Sequence, residues 1–206
     1  MAAITQATDR KSAVSTLRFA ICPLKNDSGD GLEYESTVTE IANNLITAKY
    51  TPKMNTGSQY ASGMEVDSYV AKSGGTLDIS VCGLTATDET LFFGSKIDVT
   101  TGVLVSSKND VVPDVMVIYS TKRSDGKVNL YKFPKTKFTS QGESAQTSEE
   151  NGVTYQATTL QGNYKPTLYD GNDMYCVKGV DLKTEEGRTF EAAWFATADG
   201  GIKASV

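Results

Sequence analysis

The sequence predicts a single, mainly β domain, an antiparallel β-sandwich or barrel with one short flanking α-helix at about residues 85–94. Apolar and polar residues alternate in several short segments, and clusters of Gly, Asn, Asp and Ser separate these segments. No internal repeat, heptad pattern or long apolar run interrupts this arrangement. The 206 residues suffice for one core, so we expect one domain over residues 1–206.

The chain opens with a polar segment followed by a strand. Residues 1–16 show little pattern and predict a flexible N-terminal arm, whereas residues 17–24 predict a strand. Residues 26–31 form a turn cluster that resembles the start of a calcium loop. The bidentate Glu that such a loop needs is replaced by Thr37, so we interpret the cluster as a plain turn.

A half-buried strand is predicted just before Pro52. Residues 37–45 favour neither a short helix nor a strand, and both readings stay open. Beyond them, apolar residues alternate with polar ones at Ile46, Ala48 and Tyr50. This period of two is typical of a strand with one face buried.

Residues 53–74 predict a long inter-strand loop that packs on another surface. The segment is rich in Gly, Ser, Asn, Asp and Lys, yet it carries large apolar side chains at Met54, Tyr60, Met64, Val66 and Tyr69. Loops of this length are uncommon inside compact domains and are usually functional or disordered. A disordered linker would not need so many large apolar groups, so we expect these side chains to make contacts.

A strand and the predicted helix follow this loop. Within residues 75–84, apolar side chains at 77, 79 and 81 alternate with polar ones, the clearest strand pattern in the chain. Thr85 and Asp88 fit a capping box in which Asp replaces the usual Glu or Gln. An apolar group at residues 91–93 and a stop at Gly94 complete a helix of about two turns.

The second half of the chain returns to β features. A short strand is predicted at 103–105, and a hairpin at 115–119 and 128–133 around the turn 124–127. Residues 139–152 predict a solvated tip, and Val153, Tyr155, Ala157 and Thr159 share one face of a strand that continues toward Tyr164. Residues 165–187 are rich in turn residues, and residues 190–198 suit either a strand or a helix.

Composition argues against catalysis and against tight binding to nucleic acid. Histidine is absent, which removes the commonest general base, the usual metal ligand and the Ser-His and Cys-His nucleophile pairs. The adjacent carboxylates at 149–150 and 185–186 are interpreted as surface charge, and a net charge of −5 disfavours a phosphate-gripping surface. We therefore expect no catalytic, metal or cofactor-binding residues, and no cofactor.

The cysteines and the ends of the chain bear on the compartment. Cys22, Cys82 and Cys176 are odd in number and lie in no CxxC pair, so buried free thiols are predicted. The first ten residues lack the charged-then-apolar order of a secretory signal. Folding in a cytoplasm and no membrane partner are therefore expected.

An ordered set of segments between residues 46 and 169 resembles the major tail proteins of long-tailed phages of Gram-positive bacteria. The segments are Ile46-Thr-Ala-Lys-Tyr-Thr-Pro-Lys-Met-Asn55, Gln59-Tyr60-Ala61, Gly75-Thr-Leu-Asp-Ile-Ser-Val81, Leu84 to Gly94, Asn109-Asp-Val-Val-Pro-Asp-Val115, Tyr131-Lys-Phe-Pro-Lys-Thr-Lys-Phe138 and Thr159-Leu-Gln-Gly-Asn-Tyr164. The stretch from residue 46 to residue 169 covers about 60% of the chain, while the N-terminal arm and residues 171–206 depart from the family pattern. The resemblance rests on the order of the segments, because none is specific alone.

This resemblance implies a structural virion protein rather than an enzyme. Family subunits form hexameric rings that stack into a tail tube, through which genome DNA passes without specific binding. It implies that Met54, Tyr60, Met64, Val66 and Tyr69 are inter-subunit contacts, and that partners include the tape measure and tail terminator proteins. Assembly in the host bacterial cytoplasm and a place in the virion tail follow from the same resemblance.

Three other readings stay open at the level of sequence. Ten tyrosines on a mainly β frame also suit a β-sandwich ligand-binding or adhesion module. Carboxylates distant in sequence could meet in space, as in glycosidases. The inner tube of a contractile phage-like particle would use a similar subunit.

Overall fold

A computed structural model of the chain describes residues 12–41, 45–140, 157–169 and 174–196. The first half contains β1 (Ala13–Ser28), β2 (Gly31–Tyr34), β3 (Thr39–Glu40), β4 (Leu45–Ala61), β5 (Met64–Val81) and α1 (Ala86–Phe93). The second half contains β6 (Lys96–Ile97), β7 (Leu104–Val105), β8 (Val115–Arg123), β9 (Val128–Ser140), β10 (Thr158–Tyr164), β11 (Cys176–Val180) and α2 (Glu185–Ala196).

One curled antiparallel sheet of nine strands forms the frame. The main path runs β2-β1-β8-β9-β10-β5-β4, with β3 paired to β1 and β11 paired to β9, while β6 and β7 form a separate short ribbon. The hydroxyl of Thr16 on β1 donates a hydrogen bond of 2.9 Å to the Leu45 carbonyl at the start of β4. Because β1 and β4 lie near opposite ends of the strand order, this contact shows that the sheet curls back on itself.

The inner face of the curled sheet encloses the main core. Alternation along β5 turns Leu77, Ile79 and Val81 inward, and all three are fully buried. Aromatic rings from other strands pack with them, among them Tyr119 and Tyr131, whose ring centres lie 4.5 Å apart. The predicted antiparallel, mainly β fold is confirmed.

Helix α1 closes this core as its local sequence signals predict. The Thr85 hydroxyl accepts a hydrogen bond from the Asp88 amide and the Asp88 carboxylate accepts from the Thr85 amide, a complete capping box. Gly94 ends the helix in the left-handed region at φ 72°. Phe92 is buried and its ring meets Phe138 edge-on at 5.0 Å, so packing holds this two-turn helix.

A second helix covers part of the outer face of the sheet. Trp194 and Phe195 of α2 are buried against β1, β8 and β9, in a cluster separate from the inner core. The Trp194 indole donates to the Tyr131 carbonyl at 3.4 Å. The sequence predicts one helix, and its residues 190–198 suit either a strand or a helix, so α2 corrects the predicted number of helices.

Several other sequence predictions need correction. Residues 13–16 belong to β1 rather than to a flexible arm, and residues 1–11 lie outside the described residues. Strand β11 lies inside the segment 165–187 that was predicted to be turns. Most of the predicted tip at 139–152 and the start of the strand predicted from Val153 also lie outside the described residues.

The cysteine prediction is correct for one residue of three. None of the three thiols is in a disulfide, and Cys22 is buried, but Cys176 is only half-buried and Cys82 is exposed. Cys82 follows the inward-facing Val81, so the alternation of the strand turns its side chain outward.

A buried carboxylate ties the end of β1 to the segment that follows β10. Asp27 accepts hydrogen bonds from the Leu168 and Tyr169 amides at 2.8 and 3.2 Å and an ion pair from the Lys135 ammonium. Burial opposes ionisation, but these donors outweigh it and hold the pKa of Asp27 below its ordinary value.

We expect this contact to make stability fall in acid. The folded pKa lies below the unfolded value of about 3.9, so the stabilisation is present above that pH and is lost as the pH falls through the folded pKa. Asp27→Asn should lower the free energy of unfolding by about 1–3 kcal/mol at pH 7 and flatten its decline between pH 5 and 3. Urea unfolding at several pH values tests this, with exposed Asp30→Asn as the control; equal slopes for Asp27→Asn and the native chain would contradict it.

Candidate functional site: a projecting hairpin and a lysine cleft at its base

Strands β4 and β5 continue far beyond the sheet to which they belong. Strand β10 pairs with β5 only from Val81 back to Gly75. From Met54 opposite Lys72 to Ala61 opposite Met64, the two strands pair only with each other within the described part of the chain. We call this two-stranded ribbon, residues 54–72, the projecting hairpin.

The hairpin corrects the predicted loop at 53–74. Its turn consists of only Ser62 and Gly63, both in the left-handed region at φ 52° and 78°. Two consecutive positive φ values are typical of a type I′ turn, which suits the twist of a hairpin. The Ser-Gly pair was the local signal for this turn, but the polar composition around it favoured a loop.

Exposed apolar side chains cover the hairpin, including all five predicted contact residues. They are Met54, Tyr60, Met64, Val66, Tyr69 and Val70. Tyr69 and Val70 are 68% and 62% exposed and, as neighbours in a strand, point to opposite faces. Both faces of the ribbon therefore carry exposed apolar side chains. An isolated two-stranded hairpin is only marginally stable in water. We therefore expect a partner surface that covers this hairpin to stabilise it.

The charges on the outer part of the hairpin, residues 55–71, are all negative. Glu65 and Asp67 are the charged residues between positions 55 and 71, and both are exposed. The Ser58 hydroxyl donates to the Glu65 carboxylate at 2.8 Å across the ribbon. The outer part of the hairpin thus combines two carboxylates with an apolar surface.

Two glycines shape the base of the hairpin. The register shifts between Pro52 and Met54, where β5 carries the extra residue of a bulge. Gly74 lies there at φ 115°, and a Cβ on it would stand 2.4 Å from the Tyr164 carbonyl oxygen. At Gly75 a Cβ would stand 2.3 Å from the Thr51 carbonyl oxygen. The bulge and these close approaches set the direction in which the hairpin leaves the sheet.

We expect Gly74→Ala to destabilise the subunit and misdirect the hairpin. The clash is with backbone of β10, which cannot move aside as a flexible side chain can. The free energy of unfolding should fall by about 1–3 kcal/mol in urea titrations. Gly57→Ala is the control, because a Cβ there meets nothing within 4 Å and should change stability by about 0.5 kcal/mol or less. Equal effects of the two substitutions would contradict the argument.

A cleft of about 570 Å³ lies at the base of the hairpin. Three lysines from different strands or strand ends line it: Lys53, Lys137 and Lys165. The other lining residues are Thr51, Pro52, Ser73, Gly75, Thr76, Thr139, Asn163 and Tyr164, and no carboxylate is among them. Lys137 lies 3.7 Å from the Asp114 carboxylate at the edge of this site. We call this site the lysine cleft.

Aromatic rings pack beside the cleft, because Tyr164 lines it and the ring centres of Tyr164 and Tyr175 lie 5.8 Å apart. Tyr50 and Tyr175 have ring centres 5.3 Å apart, and the Lys72 ammonium donates to the Tyr175 hydroxyl at 3.4 Å. Burial raises the pKa of Tyr164 to about 12, with smaller contributions from Tyr175 and Tyr50. Because this shift favours the neutral phenol, Tyr164 supports the hairpin base by packing rather than by charge.

The described residues show no feature of a metal centre or a membrane span. No three Cys, Asp or Glu side chains among them lie close enough together to bind a metal ion. Within the same described residues, no helix is both long and apolar enough to cross a bilayer.

The fold and the site define a mainly β domain that presents a two-stranded projection beside a basic cleft. Comparison with known proteins adds no relative: no protein-family model matches the chain, and no curated protein matches it significantly.

Proposed function

We propose that this chain is a structural subunit that self-assembles through its projecting hairpin, as the tail-tube protein of a phage or of a phage-derived particle does. Subunits join side by side into hexameric rings, and rings stack into a tube that conducts genome DNA. The tape measure and tail terminator proteins are its other partners, and the virion tail is its location.

One observation carries the proposal. The hairpin exposes apolar side chains on both of its faces, and Tyr60, Met64 and Tyr69 are each about two thirds exposed. A solvated monomer gains nothing from such a ribbon, whereas a second copy would bury it and recover the free energy of removing apolar surface from water, about 25 cal/mol per Å².

Two further features support a tube rather than another assembly. The ordered segments between residues 46 and 169 resemble tail-tube subunits. A net charge of −5 per subunit gives a ring that repels phosphates overall, which suits a conduit through which DNA must slide. Closed cyclic symmetry also removes exposed strand edges, which otherwise promote aggregation.

Sedimentation velocity over a wide concentration range tests the proposal. We expect the native chain to shift from monomer to large species as concentration rises. The triple substitution Tyr60→Ser, Met64→Ser and Tyr69→Ser should stay monomeric at least tenfold higher in concentration, with unchanged thermal unfolding. The control Val99→Ser, Val111→Ser and Leu168→Ser removes exposed apolar groups elsewhere and should assemble normally. A native chain that stays monomeric throughout would favour a ligand-binding or adhesion module.

A further inference from the structure

We infer that the lysine cleft receives the acidic tip of the projecting hairpin from a second copy of this chain. The inference rests on the proposed function, and it names the surface that the hairpin meets. In this contact, the carboxylates of Glu65 and Asp67 of one subunit pair with the three cleft lysines, Lys53, Lys137 and Lys165, of the next.

Charge complementarity is the first argument. The outer hairpin carries two carboxylates and no cation, whereas the lining of the cleft carries three lysines and no carboxylate. Within the described residues, Lys137 has the Asp114 carboxylate at 3.7 Å at the edge of the cleft, and the lining residues around the three lysines are otherwise uncharged. Opposite potentials of this kind set the orientation and register of an interface more than its raw affinity.

The length of the hairpin prevents its tip from reaching the lysine cleft of the same subunit. Lys53 at the cleft and Tyr60, which faces Glu65 across the ribbon, both belong to β4. Seven residues of extended strand at about 3.3 Å each place the Glu65 carboxylate roughly 20–25 Å from the cleft of its own chain. The ribbon is paired along this length, so its tip cannot fold back.

The geometry therefore defines a head-to-tail contact. The donor surface is the tip of the hairpin and the receiving surface is its base, so the two patches differ and each subunit offers one of each. A heterologous contact of this kind closes into a ring when its rotation divides a full turn, and continues as a filament when it does not. If two hairpins instead joined through the same patch on each subunit, the contact would give a closed dimer.

The chemistry of the contact is polar at the cleft and apolar along the ribbon. Lysine ammonium groups supply donors to the two carboxylates, and Thr and Asn side chains satisfy the remaining polar atoms. Between the tip and the base of the ribbon, its exposed apolar faces lie on the surface of the neighbouring subunit. Salt should therefore weaken assembly without abolishing it.

Charge exchange tests this assignment. Glu65→Lys with Asp67→Lys, and separately Lys53→Glu with Lys137→Glu and Lys165→Glu, should each raise the concentration needed for assembly by roughly tenfold or more. The chain that carries all five changes should recover assembly, because the two charges are exchanged. The control reverses three exposed lysines elsewhere, Lys96, Lys108 and Lys183, and should assemble as the native chain does. Thermal unfolding of each variant shows that the subunit is folded.

The outcomes separate this inference from the proposed function. Assembly by the native chain with no effect of the cleft reversal would overturn the inference and leave the proposed function standing. Failure of the five-residue exchange to restore assembly in a folded subunit would overturn it as well.

The segment 141–156 carries three glutamates, so the variant Glu143→Gln, Glu149→Gln and Glu150→Gln tests the other occupant. If that variant changes assembly and the hairpin reversal does not, the cleft receives that segment instead. A native chain that never assembles would overturn both.

Discussion

Replacing residues 55–71 by a short Asn-Gly turn should abolish assembly while leaving a folded subunit. These residues make no strand pairing with the rest of the described sheet, and their side chains are exposed, apart from the half-buried Ala71. The core residues Leu77 and Ile79 and the pairing of β5 with β10 begin only beyond the deletion. A shorter connection changes loop-closure entropy by well under about 1–2 kcal/mol, so stability should hardly change.

The measurement combines sedimentation with thermal unfolding. We expect a single monomeric species at every concentration at which the native chain assembles, together with a cooperative transition close to the native one. A matched control changes only one of the two turn residues, Ser62→Asn, and keeps Gly63. This pair retains the preference for a type I′ turn. Loss of the folded transition would show that the hairpin belongs to the core, and retained assembly would show that it is not a contact.

Trp194→Ala should cause the largest loss of stability. The indole is almost fully buried, donates to the Tyr131 carbonyl and lies 4.7 Å from the ammonium of the buried Lys132. Truncation to Ala leaves a cavity where the indole was packed. The Lys132 ammonium then faces an apolar space that no longer contains the ring. We expect the free energy of unfolding to fall by about 3–5 kcal/mol and α2 to detach.

The control keeps the ring. Trp194→Phe retains most of the buried volume and should cost about half as much or less, and half-buried Phe190→Ala should cost less than Trp194→Ala. Urea unfolding gives the free energies, and far-ultraviolet circular dichroism reports the helix. An effect of Trp194→Ala below about 1 kcal/mol would show that α2 is not held by this contact.

Local signals explain which elements the sequence predicts well. The capping box of Thr85 and Asp88, the stop at Gly94 and the turn at 124–127 all act within a few residues, and the structure confirms each of them. Strand alternation at Leu77 to Val81 has the same local character. The start of α2 had a comparable signal that was missed: the Gly187 amide donates to the Thr184 hydroxyl at 3.1 Å.

Non-local pairing explains what the sequence cannot predict. Strand β11 is only five residues long, contains Gly179 and becomes a strand because β9 pairs with it. The lysine cleft depends on residues from four parts of the chain, which meet only after β5 pairs with β4 and β10 and β10 pairs with β9. Composition alone, in contrast, singles out the five predicted contact residues. The structure exposes them on a ribbon and not a loop, and their role as contacts stays a prediction.

Electron microscopy of the concentrated native protein tests the central claim most directly. Negative staining at high protein concentration should show rings with a central hole, viewed end-on, and stacks of such rings viewed from the side, with sixfold symmetry in class averages. The same grids prepared from the chain that lacks residues 55–71 should show only small single particles. Native protein that yields uniform monomer-sized particles at every concentration, without rings or tubes, would contradict the account.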